Sequence, residues 1–531
     1  MTNYRFERPF ENFECVDLTT AQGQKVLLGT LLAEPLHARS PAAFALADTI
    51  LRSGQFRTMV MEKEYVDSDY RRAYQRFYAR AFPNYSRHAT RLHFFSANIT
   101  PRSLANLERR KISESYLGYC VVRPLRTRRV GRTVLHPGVA EPQADLPLAL
   151  SEFDVNLAGS RLKVTGAPFL EQDTRVGCCA SCAIWMSTMM AGPRFGLPTA
   201  TVADITELAT EYAPGERVLG STGLSWGEME TALRKMGYNP LTLGVSNRES
   251  ALRAIHPYLE GGIAPILLIT LEDGGLHAAV AVGHAYDPAQ QVGEMAEVRW
   301  EGRSIRFRRS SEWINYLLIH DDQRGPFRAM RLVDSVSSSG QSECHVEIDT
   351  SWPTFDGNAG WPTCTKGTLY AVLTPAPAGI SMTGIEAEEK AARLTEIAFD
   401  VLFRRGMPNN IVLRTYLARS NDYKVFAHNR GLAGRIRHLL RGKPLPHWIW
   451  ITELCTTGDA TVANGGTRMI RGEVVLDGNG SPWTPDFLAL HVIAGDVGYL
   501  ALMTPNDPNA ADAIAKGLLY RGAAPYKAFI R

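Results

Sequence analysis

The chain predicts an α+β fold, with helices gathered ahead of an antiparallel sheet. Two observations carry this. Between Cys179 and Gly262 the apolar residues recur at helical spacing, and capping signals and glycines punctuate the pattern. From Ala264 onward the pattern changes to short apolar runs of strand length: Ala264-Pro-Ile-Leu-Leu-Ile-Thr270, His277-Ala-Ala-Val-Ala-Val-Gly283 and Tyr316-Leu-Leu-Ile-His320. At 531 residues the chain is long enough for several domains. Three regions are expected: 1–150, mainly helical with strands; 151–375, the α+β core; and 376–531, an α/β region.

In the first region, Tyr70, Tyr74, Phe77, Tyr78 and Ala81 share one helical face, which predicts a helix over about 68–82 with an aromatic stripe turned to the core. Leu92–Phe95 and Tyr116–Pro124 read as strands, and the prolines at 137, 142 and 147 mark a loop. In the middle region a helix is expected from Cys179 to about Met190, stopped by Gly192-Pro193, and another from Thr201. Ser225-Trp-Gly-Glu228 and Ser246-Asn-Arg-Glu249 are capping boxes that open two more, which end near Gly237 and Gly261. Pro375-Ala-Pro-Ala-Gly379 reads as a linker. Beyond it come a helix over 383–404, with Ala387, Ala391, Leu394, Ile397 and Val401 on one face, and strands near 448–453, 473–477 and 487–493.

Composition excludes several classes of function. A net charge of +4 over this length points to neither a nucleic-acid nor a membrane partner. The arginines at 123, 126, 128, 129 and 132, and at 430, 435, 437 and 441, are read as solvated faces. No run approaches the roughly 18 consecutive apolar residues of a membrane helix, and the first ten residues carry no apolar signal core. Eight cysteines in so long a chain do not make a disulfide scaffold, so a reduced, cytoplasmic protein is expected.

Three of those cysteines, Cys178, Cys179 and Cys182, stand at the mouth of the first middle-region helix. A thiol there feels the positive end of the helix dipole, which favours the thiolate, and the unpaired N–H groups of the first turn can hold an oxyanion. Downstream, His277 enters a small-residue strand and Asp321 ends another. Cysteine, histidine and aspartate in that order and those settings describe a cysteine-nucleophile hydrolase. His277 would exchange the proton with the thiol, and Asp321 would orient the imidazole. His284, seven residues on, would face the opposite side of an unbroken strand, and so would Asp322 relative to Asp321.

The phrases Cys179-Ala-Ser-Cys-Ala-Ile-Trp-Met186, Ala264-Pro-Ile-Leu-Leu, His277-Ala-Ala-Val-Ala-Val-Gly283 and His320-Asp321-Asp322 resemble the papain-like cysteine peptidases, most closely the bacterial double-glycine-type branch, over about residues 168–330. The resemblance implies a papain-like core, with a Cys179–His277–Asp321 triad and Gln172 as a side-chain donor to the oxyanion. Gln172 stands seven residues before Cys179 and six before Cys178, and six is the family spacing, so Cys178 stays open as nucleophile. Cys182 stays open too, because it ends a Cys-x-x-Cys phrase like papain's own. The family has proline where this chain has Asp322.

The implied activity is a peptidase or isopeptidase that needs no cofactor or metal and acts on a protein or peptide, with a regulatory protein partner compatible with the long flanks. Two rivals are a silent papain-like scaffold that binds proteins and a redox or zinc site on Cys179-Ala-Ser-Cys182. The redox pair would follow a strand, and Glu-Gln-Asp-Thr-Arg-Val-Gly is not one. Zinc would want a second Cys/His pair at ligand spacing.

Overall fold

Ile266–Ile269 and Ala278–Val282 are almost wholly buried in adjacent strands of a sheet that curls until its first and sixth strands meet. A computed structural model describes residues 11–32, 40–139, 149–173, 175–210, 223–286, 295–350, 364–460 and 469–528. The sheet runs Ser342–Asp349, Gly325–Val336, Ile314–Asp321, Leu276–Tyr286, Ile266–Leu271, Cys364–Pro377 and finally Tyr238–Gly244. Ser342–Asp349 also pairs with Cys364–Pro377, so the first six strands close into a barrel. The hairpin and closing pairs are antiparallel. Closure explains the unbroken apolar runs, since one face fills the ring and the other lies under helices.

The cysteine helix spans Cys179–Phe195 and packs against the Ile266–Leu271 strand, where the Ser187 hydroxyl donates to the Ala264 carbonyl. It runs past the expected stop at Gly192-Pro193. Pro193 lies in the last turn, where a missing N–H costs one bond only, and Gly196 in the left-handed region (φ 67°) closes the helix. Helices Val202–Thr210 and Trp226–Lys235 follow, the second with the Ser225/Glu228 capping box as expected. The other box is shifted by one residue. Asn247, as strong a cap as serine, takes the position, and Ser250 reciprocates to open Arg248–Glu260.

Residues 11–139 are organised by a five-stranded sheet in sequence order, Phe13–Asp17, Thr58–Tyr65, Ala89–Phe95, Tyr116–Val122 and Val130–Leu135, with helices between the strands. The expected strands at Leu92–Phe95 and Tyr116 onward lie in this sheet. The aromatic stripe is core as expected at Tyr70 and Tyr78, but the helix is shorter (Ser68–Arg76), and Tyr78 sits in a following 3-10 turn. The expected linker at 375–379 is overturned through residue 377, where the Cys364–Pro377 strand runs. The two prolines fit because they lie beyond Leu373, the last residue paired with Ile266–Leu271. Of the expected proline loop, 140–148 lies outside the described residues.

The chain divides into two compact units: residues 1–242, 262–284 and 316–375; and residues 243–261, 285–315 and 376–531. The units do not follow chain order, unlike the three regions read from sequence. The second unit is built on an eight-stranded sheet ordered Ala296–Trp300, Arg303–Arg309, Ile411–Arg419, Trp448–Thr456, Gly472–Asp477, Ala489–Ala494, Val497–Ala501 and Leu518–Arg521. Its helix Gly384–Phe403 opens with a Thr383/Glu386 capping box, close to the expected 383–404. Across this sheet Arg414, Glu453, Glu473 and His491 stand directly opposite one another on successive strands, all buried. Arg430 is completely buried and forks onto Glu473 with bonds of 3.0 and 2.5 Å. That corrects the solvated-face reading for Arg430, while Arg435 and Arg441 are exposed. In the first arginine cluster Arg123 is buried and donates to the carbonyls of Arg128 and Glu171.

The Ile314–Asp321 strand turns into Gly325–Val336 at Gly325, which has φ 112° and whose added Cβ would lie 2.4 Å from the Ala45 Cβ. Gly325→Ala combines a strained backbone with overpacking, so it is expected to cost about 2–4 kcal/mol in denaturant unfolding. A cost below about 0.5 kcal/mol would contradict this packing.

Candidate active site

The residues before the cysteine helix are held by one carboxylate. Asp173 Oδ1 accepts the backbone N–H groups of Arg175, Val176 and Gly177 at 3.0, 2.9 and 2.8 Å, and the Tyr78 hydroxyl donates to Oδ2 at 2.9 Å. This nest delivers the chain to Cys178, which is the N-cap. Ser181 Oγ accepts its N–H at 3.0 Å and donates to its carbonyl at 3.1 Å, completing the box. Cys179 is therefore the first helical residue, as expected, and its N–H belongs to the unpaired first turn.

The three thiols have different environments. Cys178 is buried, and burial raises its pKa despite the Ser181 hydroxyl. Cys182, one turn further in, is wholly buried and pushed well above the usual thiol range, chiefly by desolvation and then by the Asp322 charge. Gly177 lies close to this thiol, since a Cβ added there would meet Cys182 Sγ at 3.3 Å. Cys179 alone of the three is partly exposed, and its side chain hydrogen-bonds His277.

His277 lies in the Leu276–Tyr286 strand opposite Ile269, and its Nε2 donates to Asp321 Oδ2 at 2.9 Å with both side chains buried. Burial alone would push the imidazole down. The Asp321 charge and the hydrogen bonds of Asp321 and Cys179 outweigh it and lift the pKa from 6.5 to about 10. Asp321 is correspondingly held below the ordinary carboxylate range: burial opposes this, but the charges of His277 and Arg324 prevail. Its other oxygen, Oδ1, accepts the N–H groups of Gln323 and Arg324 at 2.9 Å each, so the same side chain builds the turn that follows the strand. Arg324 Nη1 reaches Oδ2 at 3.1 Å, and its Nε donates to Thr365 at 3.1 Å.

The structure thus brings Cys179, His277 and Asp321 together. Asp322 also lies in this neighbourhood, fully buried beside His277 rather than pointing away from it. Desolvation lifts its carboxyl to about 7, with the His277 charge opposing. His284 is buried further along the strand. Gln172 is buried at 8%, and its amide makes no hydrogen bond to a described residue, which leaves it available as a donor.

Sequence reasoning missed three residues here. Arg324 and Asp173 carry no spacing signal, although an aspartate followed by Thr-Arg-Val-Gly is a turn-forming phrase. Tyr370 sits at a register shift between Leu369 and Ala371, where Leu369 pairs with Ile269 and Ala371 with the adjacent Leu268. Such a bulge re-aims a side chain. Burial raises the Tyr370 phenol, and the Cys179 charge, which it faces, adds to that.

Asp173→Ala should free the Arg175–Gly177 amides. Hydrogen exchange there is expected to accelerate at least about tenfold, with a stability loss of about 2–3 kcal/mol. Unchanged protection would remove Asp173 from its place as organiser of this loop. No protein-family model matches the chain, and no curated protein sequence does.

Proposed function

We propose that this protein is a cysteine hydrolase of the papain-like kind, acting on a peptide or isopeptide bond. The observation that carries the reading is the contact of Cys179, the partly exposed thiol at a helix N-terminus, with an imidazole that a buried aspartate holds at 2.9 Å. A helix opened by a cysteine and packed on a closed barrel supports a papain-like core.

Asp321 occupies Nε2 of His277, which leaves Nδ1 as the face for the thiol. Cys179 Sγ attacks the substrate carbonyl, and its proton resides on His277. The oxyanion takes hydrogen bonds from the Cys179 N–H and the Gln172 amide. His277 returns the proton to the leaving amine as the C–N bond breaks, giving an acyl-thioester. Water, deprotonated by the same imidazole, then releases the acid and restores the thiol. Asp321 stays ionised throughout and fixes the ring. The contact of Cys179 with His277, and residues 171–173 and 175–178 that form no strand ahead of the helix, weigh against a redox Cys179–Cys182 pair.

Cys179→Ala is expected to abolish hydrolysis and iodoacetamide labelling at the site, whereas Cys182→Ala keeps both within about threefold. Loss of activity in Cys182→Ala alone, with the fold intact, would assign the wrong thiol. Tyr370→Phe tests the bulge: a fall in kcat of about tenfold with KM unchanged places the phenol at the reacting atoms, and an unchanged kcat removes it.

The pH dependence has a definite sign. Folded His277 holds its proton up to about 10 against 6.5 unperturbed, so the pair's contribution to stability is full below about 6.5 and fades toward 10. Catalysis should keep its general acid over the same range and lose it near pH 10. Asp321→Asn removes the charge that opposes burial, so the alkaline limb is expected to move down by about two to three pH units. A limb that stays in place in Asp321→Asn would show that some other group carries the proton.

A further inference from the structure

Asp322 has no exposed surface, and neither of its carboxyl oxygens has a hydrogen-bond partner among the described residues. A buried carboxylate without donors is expensive and calls for a proton or a cation. Its neighbours supply the rest of a ligand set. One ligand atom each from His277, Asp321 and Asp322 lies within 4.8 Å of the other two. We propose that these three residues form a binding site for one zinc ion.

The donor set is one imidazole nitrogen and two carboxylate oxygens, which suits zinc and its near neighbours in the divalent series. Bonds of about 2.0–2.2 Å put tetrahedral ligand atoms about 3.4 Å apart. His277 and Asp321 are already at 2.9 Å, so the trio needs only a small adjustment around the ion. Two carboxylates balance the charge of one divalent ion. The opposing groups are Arg324, whose guanidinium shares Asp321 Oδ2 at 3.1 Å and approaches His277 Nε2 at 3.4 Å, and Arg128, whose charge acts on Asp322. Asp322 is the ligand with nothing to give up, so it decides the site. On binding, the ring nitrogen that meets the metal loses its proton to solvent, and the fourth position is left to water. No electron or group is transferred.

The site stands on these ligand atoms whether or not Cys179 attacks. Under the hydrolase reading it adds a regulation, because an ion that holds His277 and Asp321 removes the proton relay. Metal-loaded and working states then exclude each other.

The test uses the full chain and metal ions alone. Cobalt(II) titration is expected to give one ion per chain with the strong visible bands of a four-coordinate site, and zinc should displace it stoichiometrically. Asp322→Asn should weaken zinc binding at least about thirtyfold by calorimetry while the thermal midpoint holds or rises. The double change Cys178→Ala with Cys182→Ala should leave affinity unchanged. If Asp322→Asn does not fold, His277→Gln serves instead, with the same loss expected. The proposal is overturned if the wild type binds no zinc at about 100 µM. It is also overturned if Asp322→Asn binds as tightly as wild type, or if intense sulfur-to-cobalt bands vanish only with the cysteines. Because metal binding is read directly, a protein that binds zinc yet hydrolyses nothing after the metal has been stripped would sink the hydrolase reading and leave this one standing.

Discussion

Asp321 does two jobs with two oxygens, and the geometry of the site follows from that division. Oδ1 gathers the N–H groups of Gln323 and Arg324 and so shapes the turn, while Oδ2 holds the imidazole of His277. Taking two ionisable groups out of water is costly, and the attraction between them offsets that cost only when every remaining lone pair is also satisfied. Here backbone donors and Arg324 supply the remainder. The strand therefore ends at the ion pair, because the turn and the pair share a side chain. A substitution at this position disturbs backbone and electrostatics together, and only the isosteric asparagine separates the two.

The second unit solves a comparable problem with a longer row. Glu453 and Glu473 face each other across neighbouring strands, a like-charge pairing that would ordinarily destabilise a sheet. Arg414 reaches Glu453 at 2.8 Å and also pairs with Glu260, Arg430 forks onto Glu473, the Tyr416 hydroxyl donates to the other oxygen of Glu453 at 3.0 Å, and the Tyr423 hydroxyl shares Glu473 Oε1 with Arg430 at 2.6 Å. Burial pushes His491 down to about 3, with the Arg430 charge adding to it, so the row ends in a neutral ring between two tyrosine hydroxyls. A row whose carboxylates are all paired specifies strand register, because a one-residue slip would bury several unpaired charges.

What was legible in the sequence was local. The Ser225 capping box, the apolar face of the 383–404 helix, the apolar strand runs and the cysteine at a helix mouth depend on neighbours within a few positions, and the structure has them. The order of Cys179, His277 and Asp321 could be read because each sits at the start or end of a recognisable element. The misses came from tertiary packing. Pro193 lies inside a helix because it falls in the last turn, Pro375 lies in a strand past the end of its pairing with Ile266–Leu271, and Arg430 is buried because distant strands bring Glu473 to it. Alternation argued that Asp322 should point away, but alternation holds only while a strand persists, and here the chain is already turning. Barrel closure between 342–349 and 364–377 leaves no mark on either segment alone.

That closure has a consequence for the chain as it is made. Cys179 emerges early in synthesis, but the imidazole it meets belongs to a strand whose neighbours include Ile314–Asp321, and the ring that holds both strands is completed by Cys364–Pro377. Loop-closure entropy must be overcome before such distant pairings are rewarded. A ribosome-bound chain that has exposed the cysteine helix but not the last barrel strand carries a thiol without its imidazole partner fixed in place. The thiol is thus without that imidazole through the long interval of translation, when unfolded neighbours crowd around it, and meets it only with the final strand.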